Sequence, residues 1–230
     1  PWIVFLALIN VVYGSLIAMV QRDFKYVIGF SSVSHMGLVS MGWATMNLTG
    51  MTGAGLQMFS HGVMTALFFA CVGIVYDRAH TRDIPSLGGF AQKMPLVAIA
   101  FILGGLVSMG MPGLSGFVAE FPIFMGLWEA SQTLVLPGGQ QATYYALVAI
   151  IAVVGLVITA AYVLRVVQRV FFGEFEAEKW HEEITDATVL DKVALAILAV
   201  WLVVVGVFPA IMQPMITAGM EPIAALLGGI

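Results

Sequence analysis

Charge is scarce in this sequence: 10% of its 230 residues are Asp, Glu, Lys or Arg, whereas 60% are hydrophobic. Soluble domains carry about 25% charged residues, so this chain has too few polar side chains to cover a surface exposed to water. The mean hydropathy of +1.00 agrees with that reading. The composition excludes an ordinary soluble enzyme, a nucleic-acid-binding protein and a disordered segment. It predicts a protein whose surroundings are membrane lipid.

Cysteine is almost absent as well. Cys71 is the one cysteine of the chain, which excludes an internal disulfide and any cysteine-based metal or iron–sulfur site. His35 and His61 are not at a metal-ligand spacing, and the sequence has neither a glycine-rich phosphate loop nor a dinucleotide fingerprint. We therefore expect no cofactor and no metal in this chain.

Long apolar runs are what the sequence has in abundance. A transmembrane helix needs about 20 mainly apolar residues, and six stretches meet that need. They are residues 1–20, 26–46, 54–76, 95–130, 142–165 and 189–212. The pattern predicts an all-α, polytopic transmembrane helix bundle of about six helices.

The basic residues indicate how these helices are oriented. All nine Lys and Arg side chains lie in or beside three connections, residues 21–25, 77–94 and 166–188, and none lies in the connections 47–53 and 131–141. Basic residues favour the cytoplasmic side of a membrane, and six crossings bring all nine to one side. We expect those three loops to face the cytoplasm and both ends of the chain to face outward. Because the first residues are apolar and begin with Pro1, we also expect this piece to come from a longer protein.

The fourth run is too long for one regular crossing. Residues 95–130 would form a helix of about 54 Å, whereas the hydrocarbon core is about 30 Å thick. The charge pattern still requires one crossing here, so we predict a single broken helix, with Pro112 and Gly113 at the break. Irregular backbone at membrane depth is tolerated where it is buried in protein or lines a wet cavity. Discontinuous helices of this kind are typical of ion-handling sites in transporters.

Few ionisable residues remain inside the predicted helices. His35 lies near the middle of the second run, His61 lies in the third, Glu120 follows the break, and Lys25 opens the second run at the cytoplasmic edge. Histidine titrates near neutrality, and burial favours the protonated form of a carboxylic acid. Together these groups could relay protons. The alternative is structural: each histidine would be a neutral imidazole bonded to a neighbouring helix.

Several separated motifs resemble the antiporter-like membrane subunits of respiratory complex I. They are DFKYVIGFSSVSHMG at 23–37, QMFSHG at 57–62, YDRAHTRD at 76–83, and GMPG followed by GFVAEF between 110 and 121. The resemblance extends over about residues 13–173. Thr65 and Glu120 stand where the family's L-type subunits carry lysine, so the chain looks like the M-type group.

The resemblance implies a domain organisation. Residues 1–172 would form the second five-helix repeat of the antiporter-like fold, 173–188 an acidic cytoplasmic loop, and 189–230 a C-terminal transmembrane helix and tail. The first half of the subunit would be missing from this piece. His35 and His61 would lie on a buried hydrophilic axis, Glu120 at the exit half-channel, and Lys25 at the start of its helix in a less defined role.

The resemblance also implies a function. The chain would translocate protons as a subunit of NADH:quinone oxidoreductase in an energy-transducing membrane, which we expect to be the bacterial plasma membrane. Other membrane subunits of complex I would be its partners, with NADH, FMN, iron–sulfur clusters and quinone bound elsewhere in the complex. Three alternatives stay open: a subunit of a multi-subunit cation/proton antiporter, a subunit of a membrane-bound hydrogenase-type complex, and a passive scaffold.

Overall fold

A computed structural model describes residues 2–136, 139–180 and 184–228. Over these residues the chain forms eight α-helices and no β-strand. The helices are α1 (Trp2–Val20), α2 (Phe24–Ala44), α3 (Leu48–Ala79), α4 (Pro95–Ser108), α5 (Ser115–Thr133), α6 (Tyr144–Val166), α7 (Val189–Val207) and α8 (Gln213–Gly228). The predicted all-α helix bundle is confirmed.

Each of the six apolar runs forms helix, but several boundaries differ from the predicted ones. Helix α3 begins at Leu48, six residues before the predicted run, because Asn47 caps it by accepting a hydrogen bond from the backbone amide of Gly50. The segment after residue 212, which we expected to be a tail, instead forms α8. Its side chains Ile216 and Met220 lie against Gly55 of α3, so packing on α3 stabilises this last helix.

The predicted break in the fourth run is confirmed. Helix α4 ends at Ser108 and α5 begins at Ser115, with Pro112 and Gly113 in the turn between them. The backbone of Gly113 has a φ of +90°, a conformation that residues with a Cβ rarely adopt. A Cβ on Gly116 would collide with the carbonyl oxygen of Val107. The end of α4 and the start of α5 therefore touch backbone to backbone.

Helix length and hydropathy together identify fewer membrane-spanning helices than the six crossings that we predicted. Within the described residues, four helices are long and apolar enough to cross a bilayer: α1, α3, α6 with its π-helical extension to Phe171, and α7. Helix α4 is apolar but has only 14 residues. Helices α2 and α5 are long, but they carry the buried polar residues His35 and Glu120. Their polar side chains thus lower the hydropathy of α2 and α5, although both helices are long enough to cross a membrane.

The three basic connections meet at one end of the bundle, as the charge pattern predicts. The amide of Phe24 donates to the carbonyl of Arg82 over 2.8 Å, and the amide of Gly89 donates to the carbonyl of Phe172 over 3.1 Å. Arg78 at the end of α3 forms an ion pair with Asp191 at the start of α7, with 3.2 Å between the charged atoms. We refer to this end as the basic end.

The predicted acidic loop lies at the basic end too. Over its described residues it is irregular apart from one short turn at Ala177–Lys179. Trp180 packs edge-on against Phe90, with 5.4 Å between the ring centroids. The loop residues 181–183 fall outside the described part of the chain.

A polar layer separates two apolar clusters in the described core. The cluster nearer the basic end includes Phe24, Phe101 and Phe171, and the cluster nearer the opposite end includes Leu38 and Ile123. Both clusters include residues of α2 and α6. Between them lie His35 and His61, about halfway along α2 and α3, and Glu120 near the start of α5. The fold therefore places its polar groups in the middle of the bundle.

The contact across the helix break predicts a large effect of a small substitution. Gly116→Ala is expected to destabilise the fold by about 1–3 kcal/mol, because the new methyl group displaces the Val107 carbonyl in a close-packed contact. Thermal denaturation of the detergent-solubilised protein measures this loss. Gly62→Ala is the matched control: a Cβ there meets nothing within 4 Å, so the melting temperature should be unchanged or slightly higher. Equal melting temperatures for the two variants would contradict the contact.

Candidate functional site

Four helices bring one polar side chain each to a common point in the middle layer. They contribute His35 from α2, Gln57 from α3, Ser108 from α4 and Glu120 from α5. All four residues are at most 2% exposed. We call these four residues the central cluster.

The helix break makes this meeting possible. An unbroken helix through residues 95–133 would separate Ser108 and Glu120 by about 18 Å along its axis. The turn at 109–114 and the backbone contact at Gly116 bring α5 back alongside the end of α4. Both Ser108 and Glu120 can then reach His35 on α2.

The imidazole of His35 bridges two parts of the cluster. Its Nδ1 lies 3.1 Å from Oε1 of Glu120, and its Nε2 lies 2.9 Å from the hydroxyl oxygen of Ser108. The side-chain amide of Gln57 donates to the same Oε1 of Glu120 over 3.1 Å. The two ring nitrogens of one histidine thus contact a carboxyl group on one side and a hydroxyl group on the other.

The contact between His35 and Glu120 can hold a proton on either partner. A histidinium with a carboxylate and a neutral imidazole with a carboxylic acid contain the same number of protons and have the same net charge. An isolated carboxylate at this depth would be costly, because the surroundings cannot solvate it. A buried ion pair offsets its desolvation only when its geometry and hydrogen bonding are good. The amide of Gln57 supplies one of those hydrogen bonds.

The second carboxyl oxygen of Glu120 faces the helix break. Oε2 has no hydrogen-bond partner among the described residues, and a Cβ on Gly110 would come within 3.0 Å of it. Gly110 itself adopts a φ of +66°. The glycine of the break therefore leaves space beside the carboxyl group that any other residue would fill.

His61 lies near the central cluster but is bonded elsewhere. The ring centroids of His35 and His61 are 5.4 Å apart, and no hydrogen bond joins the two imidazoles in the described part of the chain. The Nε2 of His61 lies 2.7 Å from the hydroxyl oxygen of Ser32, and Thr65 also contacts this ring. A proton passing between the histidines needs an intermediary such as water or a hydroxyl group.

Lys25 lies away from the central cluster. It occupies the first turn of α2, where its backbone amide donates to the capping carboxylate of Asp23 over 2.8 Å. The ten residues from Lys25 to His35 correspond to about 15 Å along the helix. Its side chain is exposed at the basic end, and its place in a proton path stays a prediction.

Two members of the cluster, Gln57 and Ser108, were not among the predicted site residues. Gln57 precedes His61 by four residues, one helical turn, so it shares a face of α3 with a predicted residue. Ser108 is the last residue before the break. A search for polar residues one turn from each histidine and directly beside the break would have found both.

These features define a polytopic integral membrane protein with a titratable pair buried at a helix break. More particularly, the chain belongs to the NADH:quinone oxidoreductase/Mrp antiporter transmembrane family, whose family model matches residues 1–143.

Two curated relatives specify the resemblance. The chain is 37% identical to NADH-quinone oxidoreductase subunit M of Rhodobacter capsulatus, over 94% of this chain and 39% of the relative. It is 34% identical to NAD(P)H-quinone oxidoreductase chain 4 2 of Synechococcus sp. strain JA-3-3Ab, over 99% of this chain and 41% of the relative. The predicted resemblance to the M-type group is confirmed. The chain spans about two fifths of the length of these relatives.

Solved structures agree on the fold. A chain of respiratory complex I from Thermus thermophilus with bound NADH matches with a TM-score of 0.83 and 29% identity, over 98% of this chain and 44% of that chain. A chain of the Mrp complex from Dietzia sp. DQ12-45-1b matches with a TM-score of 0.81 and 20% identity, over 98% of this chain and 46% of that chain. The second likeness concerns the fold alone.

The hydrogen bond from Gln57 to Glu120 predicts a stability difference between two glutamines. Gln57→Leu is expected to destabilise the fold by about 1–3 kcal/mol, because it removes a donor from a buried carboxyl group. Gln92→Leu is the control, since the Gln92 amide makes an exposed hydrogen bond to the carbonyl of Gly173 and its loss should cost less than about 0.5 kcal/mol. Denaturation of the two variants in detergent tests the difference. A Gln57→Leu variant as stable as Gln92→Leu would show that the amide does not support Glu120.

Proposed function

We propose that this chain is part of a proton-translocating membrane subunit of NADH:quinone oxidoreductase, with the central cluster on its proton path. The observation that carries the proposal is the buried contact between His35 and Glu120 at the helix break, 3.1 Å from Nδ1 to Oε1. Ionisable groups at membrane depth are costly and usually mark a pathway or a paired site. Here an imidazole, which can accept a proton at one ring nitrogen and donate one from the other, faces a carboxyl group that can take its proton.

The proton transfer uses both nitrogens of His35. A proton arriving at Nε2 from the side of Ser108 produces a histidinium, and the proton on Nδ1 then passes to Oε1 of Glu120. The imidazole ends neutral and the carboxyl group ends protonated, so no net charge remains at the site. The free oxygen Oε2 and the space beside Gly110 favour release of the proton on that side.

Such a relay moves protons in one direction only if its groups alternate between two states. The proton affinities of His35 and Glu120 must then depend on charges or hydration outside the cluster. Electron transfer in other subunits would supply that change. Their NADH, FMN, iron–sulfur clusters and quinone would carry the redox chemistry, while this chain would contribute the proton path and no redox centre.

His61 and Lys25 are proposed as further positions on this path. His61 would pass protons toward His35 through Ser32 or water, because the two rings are close but not bonded to each other in the described residues. Lys25 would act at the cytoplasmic mouth of the path. Because the Lys25 side chain is exposed at the basic end, it could attract or repel protons there, and this position suits it better than one inside the relay.

The surroundings of the chain follow from the same proposal. Its partners would be other membrane subunits of complex I and membrane lipids, in an energy-transducing membrane such as the bacterial plasma membrane. The relatives named subunit M and chain 4 support this placement. Since the chain spans about two fifths of their length, the complete activity would require the rest of the subunit. Residues 1–172 would be its second five-helix repeat, and α7 and α8 would follow the acidic loop.

A second candidate is a subunit of a multi-subunit cation/proton antiporter. The name of the matching family includes the Mrp antiporters, and this chain shares its fold with a chain of the Mrp complex from Dietzia sp. DQ12-45-1b. The same relay would then exchange protons for cations with no electron donor. Vesicles containing the complex separate the two: proton movement that starts on adding NADH supports the oxidoreductase, and proton movement that starts on adding Na⁺ supports the antiporter.

The central prediction concerns Glu120. Glu120→Gln keeps the size and hydrogen-bonding capacity of the side chain but removes the titratable group, so the assembled complex is expected to lose proton translocation through this subunit. The ratio of protons moved to electrons transferred, measured in sealed vesicles, is the test. Glu129→Gln is the matched control: it lies on the same helix, but its side chain is partly exposed and outside the central cluster.

The two variants have opposite expected outcomes. A lowered proton-to-electron ratio in Glu120→Gln and a normal ratio in Glu129→Gln support the proposal. A normal ratio in an assembled Glu120→Gln complex overturns it. A normal ratio in both Glu120→Gln and His35→Ala would favour the passive-scaffold alternative, in which these side chains only join helices.

A further inference from the structure

A chain of buried hydroxyl groups leads from the central cluster toward the basic end. The phenol oxygen of Tyr162 on α6 lies 2.6 Å from the hydroxyl oxygen of Ser31 on α2. Ser108 of α4 lies close to the Tyr162 hydroxyl, and its own hydroxyl oxygen lies 2.9 Å from Nε2 of His35. Three helices thus contribute one hydroxyl each to a row of neighbouring groups that ends on the imidazole.

This line is closed off from the lipid-facing surface. Tyr162 is 2% exposed, Ser31 is 3% exposed and Ser108 is fully buried. A buried hydroxyl must find a hydrogen-bond partner, because leaving it unpaired is costly. Phenylalanine in place of Tyr162 and alanine in place of each serine would fill nearly the same volume without needing any partner. The placement of three hydroxyls in a row beside a titratable imidazole therefore calls for a role beyond packing.

The line points toward the basic end. Ser31 precedes His35 by four residues on α2, which places it about 6 Å nearer that end. Beyond it lies a cavity of about 10 Å³, lined by Val27, Ile28, Ser31 and Tyr162 among others. A space of this size holds about one water molecule. The remaining cavity walls are apolar side chains, including Phe68 and Phe101.

We propose that Ser31, Tyr162 and Ser108 form a proton supply route from the basic end to Nε2 of His35, separate from His61. Each hydroxyl donates its own proton to the next acceptor and receives one from behind, so every group ends as it began, and no phenolate or alkoxide persists. The proton reaches Nε2, and the Nδ1 proton of His35 leaves to Glu120. The inference rests on the proposed function, because a supply route has meaning only if His35 relays protons.

The separation from His61 follows from the contacts of each ring. The Nε2 of His35 faces Ser108, whereas the Nε2 of His61 faces Ser32. Ser31 and Ser32 are neighbours on α2, but they point to different faces of the helix, because successive residues are about 100° apart around the helix axis. Ser31 therefore belongs to the proposed supply route to His35, and Ser32 belongs to the contact with His61.

The test compares hydroxyl deletions in the assembled complex, reconstituted into sealed vesicles. Tyr162→Phe and Ser31→Ala are expected to slow NADH-driven proton translocation about tenfold, equivalent to about 1.4 kcal/mol in the activation barrier. The ratio of rates in H₂O and D₂O should rise in both variants, because a transfer between oxygen atoms becomes rate-limiting. Ser31→Thr keeps a hydroxyl and should restore the rate and the isotope ratio.

Two control variants lie on the same helices. Tyr145→Phe removes another buried phenol of α6, which donates to the carbonyl of Ala44 over 2.9 Å. Ser34→Ala removes a serine of α2 that is as buried as Ser31 but donates to the carbonyl of Val11. Both should keep the wild-type isotope ratio, since neither hydroxyl contacts the line.

Glu120→Gln, measured alongside, separates the two proposals. If Glu120→Gln stops translocation while Tyr162→Phe and Ser31→Ala match their controls, the supply route is wrong and the proposed function stands. If Glu120→Gln translocates normally, the proposed function fails and the route fails with it. Slowed translocation with an isotope ratio equal to the controls overturns the route, because it would show a structural effect only.

Discussion

The contact between His35 and Glu120 is the interaction on which the rest of this structure depends. Neither group is easily buried alone, because a charge at the centre of the bundle loses its hydration and finds little to replace it. Brought within 3.1 Å of each other, they form a pair that can share one proton, and the amide of Gln57 and the hydroxyl of Ser108 add hydrogen bonds to it. The polar layer between the two apolar clusters follows from this requirement.

The helix break serves this pair. It ends α4 at Ser108 and starts α5 at Ser115, which brings a hydroxyl and a carboxyl group to opposite nitrogens of one imidazole. It also places Gly110 beside the free oxygen of Glu120, where the missing side chain leaves space. A regular helix over the same residues would satisfy its backbone better, but it would set these groups far apart. The helix is therefore interrupted at the point where the contacts of these groups with His35 require it.

A single buried network connects the proposed function and the proposed supply route. The apolar clusters on either side have the density of a packed core, which keeps the distances between hydroxyl, imidazole and carboxyl group short. The same packing limits the routes that a proton can take, since apolar walls offer no donors or acceptors. Ser31 and Tyr162 extend the network toward the basic end, and Gly110 borders it on the other side. The direction of transfer would then depend on charges in the rest of the complex.

The sequence by itself determined the helical class, the place of the break and the common side of the basic loops. These follow from local physics: apolar length, proline and glycine, and the positions of lysine and arginine. It also marked His35, His61 and Glu120, because ionisable residues stand out in an apolar chain.

Only the tertiary structure decided which of them meet. It paired His35 with Glu120, bonded His61 to Ser32 and left Lys25 exposed. Gln57, Ser108 and Tyr162 gained their roles only there, since a buried hydroxyl or amide is recognised by the partner that another helix brings to it. Helix α8 likewise depends on its packing against α3, a contact that no local sequence pattern predicts.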